Sequence, residues 1–173
     1  MKHTDSDKFA FLMIDFEMPE FIKELQKSIP EIELYKDENS ENDYGLEKET
    51  HVTVVPCLDN DINLGDLKKL LKPLKEYNTI LTDISLFKND YDVLKCNASS
   101  MTLFETNKNI LSKFKSHSEY KDYKPHVTIA YLKKGMGDKY VKDMLDKLIV
   151  LTPTNFTFSF YDKDGNFKKE QWK

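Results

Sequence analysis

The chain is poor in several features, and each shortage removes a class of protein. Only two cysteines, Cys57 and Cys96, occur in 173 residues. They form neither a disulfide framework nor a metal-ligand spacing, and they read as free thiols in a reducing compartment. The longest purely apolar run, residues 9–14, falls far short of the ~20 residues that a membrane helix needs. Positive charge is in deficit, with net charge −4 and a pI near 5.6. That balance speaks against a protein that tracks long nucleic-acid backbones, and it leaves room for a small anionic ligand met by a few local donors. The first residues, Met1 to Lys8, are interrupted by acids and followed by no cleavage pattern. No secretory signal is read there, and the cytoplasm is the expected compartment. What is present, 39% hydrophobic, 12% aromatic and 32% charged residues, suits one globular domain spanning 1–173.

Against this background one tripeptide pattern occurs twice. His51-Val52-Thr53-Val54-Val55 and His126-Val127-Thr128-Ile129-Ala130 are both β-branched apolar runs led by a histidine. In a strand, alternation places His51 with Thr53 on one face and Val52 with Val54 on the other, and the second copy repeats this. A single histidine in a strand is usually structural. The chain has only four, however, and two of them far apart carry the same following pattern. Two imidazoles that titrate near neutrality and two hydroxyls, each pair backed by an apolar anchor, are equipped for acid/base work on a phosphodiester. His3, in the terminal segment, and His117, in a polar connection, receive no role.

Periodicity fills in the rest. Residues 9–16 predict a strand. A helix starting near Pro19 and carrying Phe21, Ile22, Leu25 and Ile29 follows, and Pro30 ends it. Residues 31–35 predict a short strand. The acidic segment 36–49 predicts a solvated loop, or alternatively a lid whose Tyr44 reaches the site. A helix over 64–77 should be kinked or cut at Pro73. Strands over 79–87 and 91–97 are joined by a turn at 88–90, and Leu103, Ile110, Leu111 and Phe114 outline another helix. Pro125 forces Lys124 to be extended before the His126 strand. A last helix is expected over 139–148 and a last strand over 156–161. The two comparable halves, each with one His-x-Thr, predict an α+β or α/β domain whose lobes face one cleft.

The paired motifs and their flanks, Tyr44-Gly45-Leu46-Glu47-Lys48-Glu49-Thr50-His51-Val52-Thr53 and Tyr123-Lys124-Pro125-His126-Val127-Thr128-Ile129-Ala130-Tyr131-Leu132-Lys133, resemble the two-histidine phosphoesterase superfamily. The flanks look more like its phage-encoded branch, which includes anti-CBASS nucleases that destroy cyclic oligonucleotide alarm signals, than like its RNA-repair branch. The resemblance implies an α+β bilobal fold, with two pseudo-symmetric lobes of antiparallel strands and outer helices around a central cleft. It implies that one histidine deprotonates a ribose 2'-hydroxyl or water while the other protonates the leaving oxygen. Thr53 and Thr128 would hydrogen-bond the non-bridging phosphate oxygens. Neither a metal nor any other cofactor is implied, and no spacing such as H-E-x-x-H is present. The sequence does not distribute the two roles; the expectation adopted is His51 as base and His126 as acid.

For the walls of the cleft, Tyr131, Lys133, Lys134 and Tyr44 are candidate substrate contacts, and so is Phe11 on the first strand. Tyr131 would fall on the opposite pleat from His126 unless the strand ends or bulges. Aromatics and an acid near the carboxyl end contact the base in related nucleases, which makes Glu170 and Trp172 candidates by resemblance. The expected partner is a small cyclic nucleotide or short oligonucleotide, with no membrane and no long nucleic acid. The alternatives are an RNA-processing 2',3'-cyclic phosphodiesterase or 2'-5' RNA ligase-like enzyme, and a protein that sequesters a nucleotide without cleaving it.

Overall fold

Among the described residues, strands rich in β-branched and aromatic residues pair edge to edge into one nine-stranded sheet in which every pairing is antiparallel. The computed structural model describes residues 8–40, 43–144 and 146–173. In chain order the elements are β1 (Ala10–Phe16), α1 (Glu20–Ser28), β2 (Thr50–Leu58), α2 (Leu64–Lys68), β3 (Thr79–Lys88), β4 (Asp92–Ser99), α3 (Met101–Leu111) and β5 (His126–Leu132). They continue through β6 (Lys142–Asp143), β7 (Ile149–Leu151), β8 (Pro153–Tyr161) and β9 (Phe167–Trp172). The strand order is β6-β3-β4-β5-β2-β1-β8-β9, with β7 also on β3. An α+β architecture of two antiparallel halves is therefore present, and the halves meet at β5 and β2, the strands that carry the repeated motif.

The seam between the halves is narrow: β2 and β5 share the single register pair Val52↔Val127. Outside it the halves match. β4 flanks β5 as β1 flanks β2, and β3 and β8 come next. Each motif strand also carries a β-bulge at the third residue after its histidine. The pairs Leu12↔Val55 and Met13↔Thr53 leave Val54 extra in β2, and Leu94↔Ala130 and Lys95↔Thr128 leave Ile129 extra in β5.

A bulge carbonyl drops out of the ladder and needs another donor. Each gets a side-chain amide from a helix. Asn107 of α3 donates to Val54 O at 2.8 Å, and Gln26 of α1 donates to Ile129 O at 2.9 Å and to Glu47 O at 2.7 Å. Each helix thus braces the motif strand of the other half, with α1 packed on β5 and α3 on β2. The apolar face beneath the sheet holds Leu12, Ile14, Val52, Leu94 and Val127, all fully buried. Burial of such side chains contributes about 1.5–3 kcal/mol each, which anchors the opposite face of the same strands.

Several expected elements take other forms. Residues 31–35 make a 3-10 turn at Glu31–Glu33, and Leu34 forms only an isolated antiparallel bridge to Leu132 of β5. Pro73 cuts the helix expected over 64–77, so α2 ends at Lys68 and a 3-10 turn, Leu74–Tyr77, follows. The helix expected over 139–148 does not form. Its span holds a 3-10 turn at Asp138–Tyr140 and the short strand β6, and residue 145 lies outside the described residues. The polar tail forms β9, whose exposed edge position lets Lys and Glu face solvent. Among the described residues no helix is long and apolar enough to cross a membrane.

Candidate active site

The Val52↔Val127 pair organises the site. Counting outward in an antiparallel ladder, His51 lies across from Thr128 and Thr53 across from His126, and directly opposed residues share a face. All four are half-buried, whereas Val52 and Val127 between them are fully buried on the other face. The sheet thus brings His51, Thr53, His126 and Thr128 into one diagonal quartet, each histidine next to the threonine of the other motif.

The two imidazoles are held differently. His126 Nδ1 lies 2.8 Å from the Lys124 carbonyl. A carbonyl can only accept, so Nδ1 carries the proton, and Nε2 of the neutral ring offers its lone pair. The ring meets Phe87 edge-to-face at 4.9 Å between centroids. Burial, together with the positive charges of Lys95 and His51, holds the His126 pKa below the ordinary imidazole value. His51 Nδ1, by contrast, is buried with no hydrogen-bond partner among the described residues. No hydrogen bond among the described residues fixes the tautomer of this ring.

The bulge in β5 returns Tyr131 to the His126 side of the strand. Burial pushes its hydroxyl pKa up to about 12. Tyr131 belongs to a cluster with Tyr35, Tyr44 and Tyr91, whose ring centroids lie 4.6–6.0 Å apart. Tyr44 gets there because the segment expected as a loop docks on the free edge of β5. Tyr131 N donates to Gly45 O at 2.7 Å and Glu47 N to Ile129 O at 3.0 Å. Gly45, at φ +100°, permits that turn. Residues 41 and 42 of this segment lie outside the described residues, as do residues 1–7 with His3. His117 bonds Asp59 at 2.7 Å and stacks on Phe9, away from the quartet.

Phe11 alternates with Met13 and Asp15 on the quartet face of β1 and is half-buried. The other expected contacts are not brought to the site. Glu170 and Trp172 pair with Phe158 and Phe156, whose side chains enter the core, so their own side chains take the face opposite His51. Trp172 stacks on Phe156 at 5.6 Å with Lys68 Nζ 4.3 Å above its ring, and Glu170 bonds Lys68 at 3.4 Å. The residue of β9 that faces the quartet side is Gln171, which donates to Asp15 Oδ2 at 3.2 Å. Lys133 and Lys134 are exposed beyond the end of β5, roughly 20 Å along the strand from His126.

The sequence reading missed the residues of β1 and β4 that flank the quartet. Asp15 is opposite His51, and its carboxylate accepts from Asn155, Thr157 and Gln171. Asn97 is opposite His126, and Lys95 is opposite Thr128. Only 5% of Lys95 is exposed. Its ammonium donates to Ser85 Oγ at 2.8 Å and to Asn97 Oδ1, and lies 4.3 Å from the Phe87 ring centre. The signal was the period-2 pattern of Asp92–Ser99 read against a register that only the fold supplies. Among the described residues no three His, Cys, Asp or Glu side chains converge as a metal site. A cavity of about 330 Å³ between α1 and β6 shares no residue with the quartet.

No family model matches the chain, and no curated protein matches it. Among solved structures, the crystal structure of E. coli LigT in apo form is similar at TM-score 0.43 and 13% identity, with 96% of each chain covered.

Proposed function

We propose that this protein is a metal-independent phosphodiesterase that cleaves cyclic oligonucleotide immune signals, acting in the host cytoplasm as a phage counter-defence enzyme. The observation that carries this reading is the quartet itself: two imidazoles and two hydroxyls on one sheet face, around one strand pair. The resemblance of the motif flanks supplies the substrate class. The net charge of −4 favours a short ligand over a long nucleic acid, and the tyrosine cluster beside Thr128 offers rings for base stacking.

The hydrogen bond and the burial of His126 favour roles opposite to those expected from sequence. His126, neutral with Nε2 free to accept, takes the proton from the ribose 2'-hydroxyl or from water. The resulting oxyanion attacks phosphorus, and Thr53 and Thr128 hydrogen-bond the non-bridging oxygens as charge builds there. His51, in its imidazolium form, gives a proton to the leaving 5'-oxygen and is left neutral. With the 2'-hydroxyl as nucleophile the products are a 2',3'-cyclic phosphate and a 5'-hydroxyl.

The test is incubation in chelator with cyclic di- and trinucleotides and with an RNA carrying a 2',3'-cyclic phosphate end, beside His51→Ala and His126→Ala. Cleavage of a cyclic oligonucleotide that both substitutions abolish is expected. Opening of the RNA end alone would move the protein to RNA processing. Ligand bound and returned intact would replace catalysis by sequestration.

A further inference from the structure

The two halves of the site share a backbone plan but not a charge. The positions opposite His51 and Thr53 are Asp15 and Met13, whereas those opposite His126 and Thr128 are Asn97 and Lys95. Lys95 is thus a buried cation on one side of a site that is otherwise pseudo-symmetric. It has no carboxylate within ion-pair distance among the described residues. Asp83, the acid of its neighbourhood, is reached through Asn97, whose amide donates to Asp83 Oδ2 at 2.8 Å, while Thr82 occupies the other oxygen at 2.7 Å. An ammonium has three N–H groups, and two here are given to Ser85 and Asn97. A buried charge without a counter-ion is costly unless a ligand supplies one. Burial holds the Lys95 pKa below the usual lysine value, against the raising effect of the Asp83 carboxylate. The sequence contains no arginine, so no guanidinium can serve instead.

We propose that Lys95 is a substrate-binding residue whose third N–H holds a non-bridging phosphate oxygen on the His126–Thr128 side of the site, fixing which way the phosphodiester lies between the two histidines. This rests on the phosphodiesterase reading for the identity of the anion as a substrate phosphate. The binding itself does not. Asn97, clamped between the Lys95 ammonium and the Asp83 carboxylate, positions the ammonium, and the Phe87 ring centre lies 4.3 Å from it.

The experiment titrates the full chain with inorganic phosphate and with adenosine 3'-monophosphate, following the Lys95 side-chain resonances by NMR. Affinities are compared with Lys95→Met, and cyclic dinucleotide cleavage is measured in parallel. The expected result is a phosphate-dependent shift of the Lys95 resonances and about 10- to 100-fold weaker binding of both anions by the variant. If those changes occur but no cyclic or linear phosphodiester is cleaved, the anion site stands and the phosphodiesterase reading fails. If cleavage occurs while Lys95 resonances ignore both anions, the inference about Lys95 is overturned and the enzyme remains. The resonance measurement uses the unmutated protein, so a variant that fails to fold does not remove the test.

Discussion

Replacing Asn107 by leucine removes the side-chain amide that reaches the Val54 carbonyl, with little change in volume. Asn107 is 7% exposed and its bond is 2.8 Å long. The substitution strands a bulge carbonyl beneath the sheet. Leaving a buried acceptor unmet costs about 1–3 kcal/mol. At about 2–4 °C per kcal/mol for a chain of this length, the melting temperature should fall by about 2–12 °C. Gln26→Leu is the internal comparison. Gln26 is only half-buried, and Ile129 O keeps the Glu47 amide at 3.0 Å, so its cost should be about 0.5–1.5 kcal/mol. Thermal melts, backed by urea midpoints, read the difference. The consequence for the site is separate from stability. If Val54 relaxes into the ladder, the residues beyond it exchange faces, as any one-residue slip in a strand requires. An Asn107→Leu protein that melts within about 1 °C of the parent would show that strand pairing alone holds the bulge and that the helix amides are incidental.

Two further outcomes follow. His126 must be neutral to act as base, and its pKa is held down by burial and by Lys95 and His51. Activity should therefore rise with pH along a limb lying below the ordinary imidazole value of about 6.5; Lys95→Met removes one neighbouring charge and should move that limb upward. A limb at or above the ordinary value, or one indifferent to Lys95, sinks the assignment of His126 as base. Trp172→Ala should cost about 1–3 kcal/mol through the lost Phe156 stacking with kcat unchanged, and a fall in kcat without loss of stability would return Trp172 to the substrate.

The motif strands were legible because their signal is local: period-2 alternation over β-branched residues identifies β1, β2, β4, β5 and β8 without any knowledge of partners. Faces were legible only as far as the alternation stayed regular. Tyr131 was ambiguous from sequence because a bulge is a property of pairing, and nothing in Thr128-Ile129-Ala130 marks which residue will be the extra one. Trp172 and Gln171 differ by one position and therefore by one face. The tail read as polar, and without the Phe156↔Trp172 register nothing chose between them. Gln26 and Asn107 were illegible for the same reason, since each answers a carbonyl in a strand far along the chain.

That dependence on pairing also explains how a duplicated motif can perform an asymmetric reaction. Two identical His-x-Thr strands related by the Val52↔Val127 pair would present two equivalent histidines, yet acid/base transfer requires that one give a proton and the other take one. The motifs themselves cannot break this symmetry, because both read His-Val-Thr followed by a bulge. The break has to come from the strands beside them. There β1 contributes Met13 and Asp15, and β4 contributes Lys95 and Asn97, at matching positions. An ammonium beside His126 disfavours its charged form, while the carboxylate lies on the His51 side. Removing both flanking charges through Asp15→Asn together with Lys95→Met would erase the polarity while leaving both motifs intact. Such a double variant should keep its four motif residues but lose most of its turnover, with the acidic limb of its pH–rate profile moved up toward the ordinary imidazole value of about 6.5; an unchanged profile would show that the flanks do not set the roles.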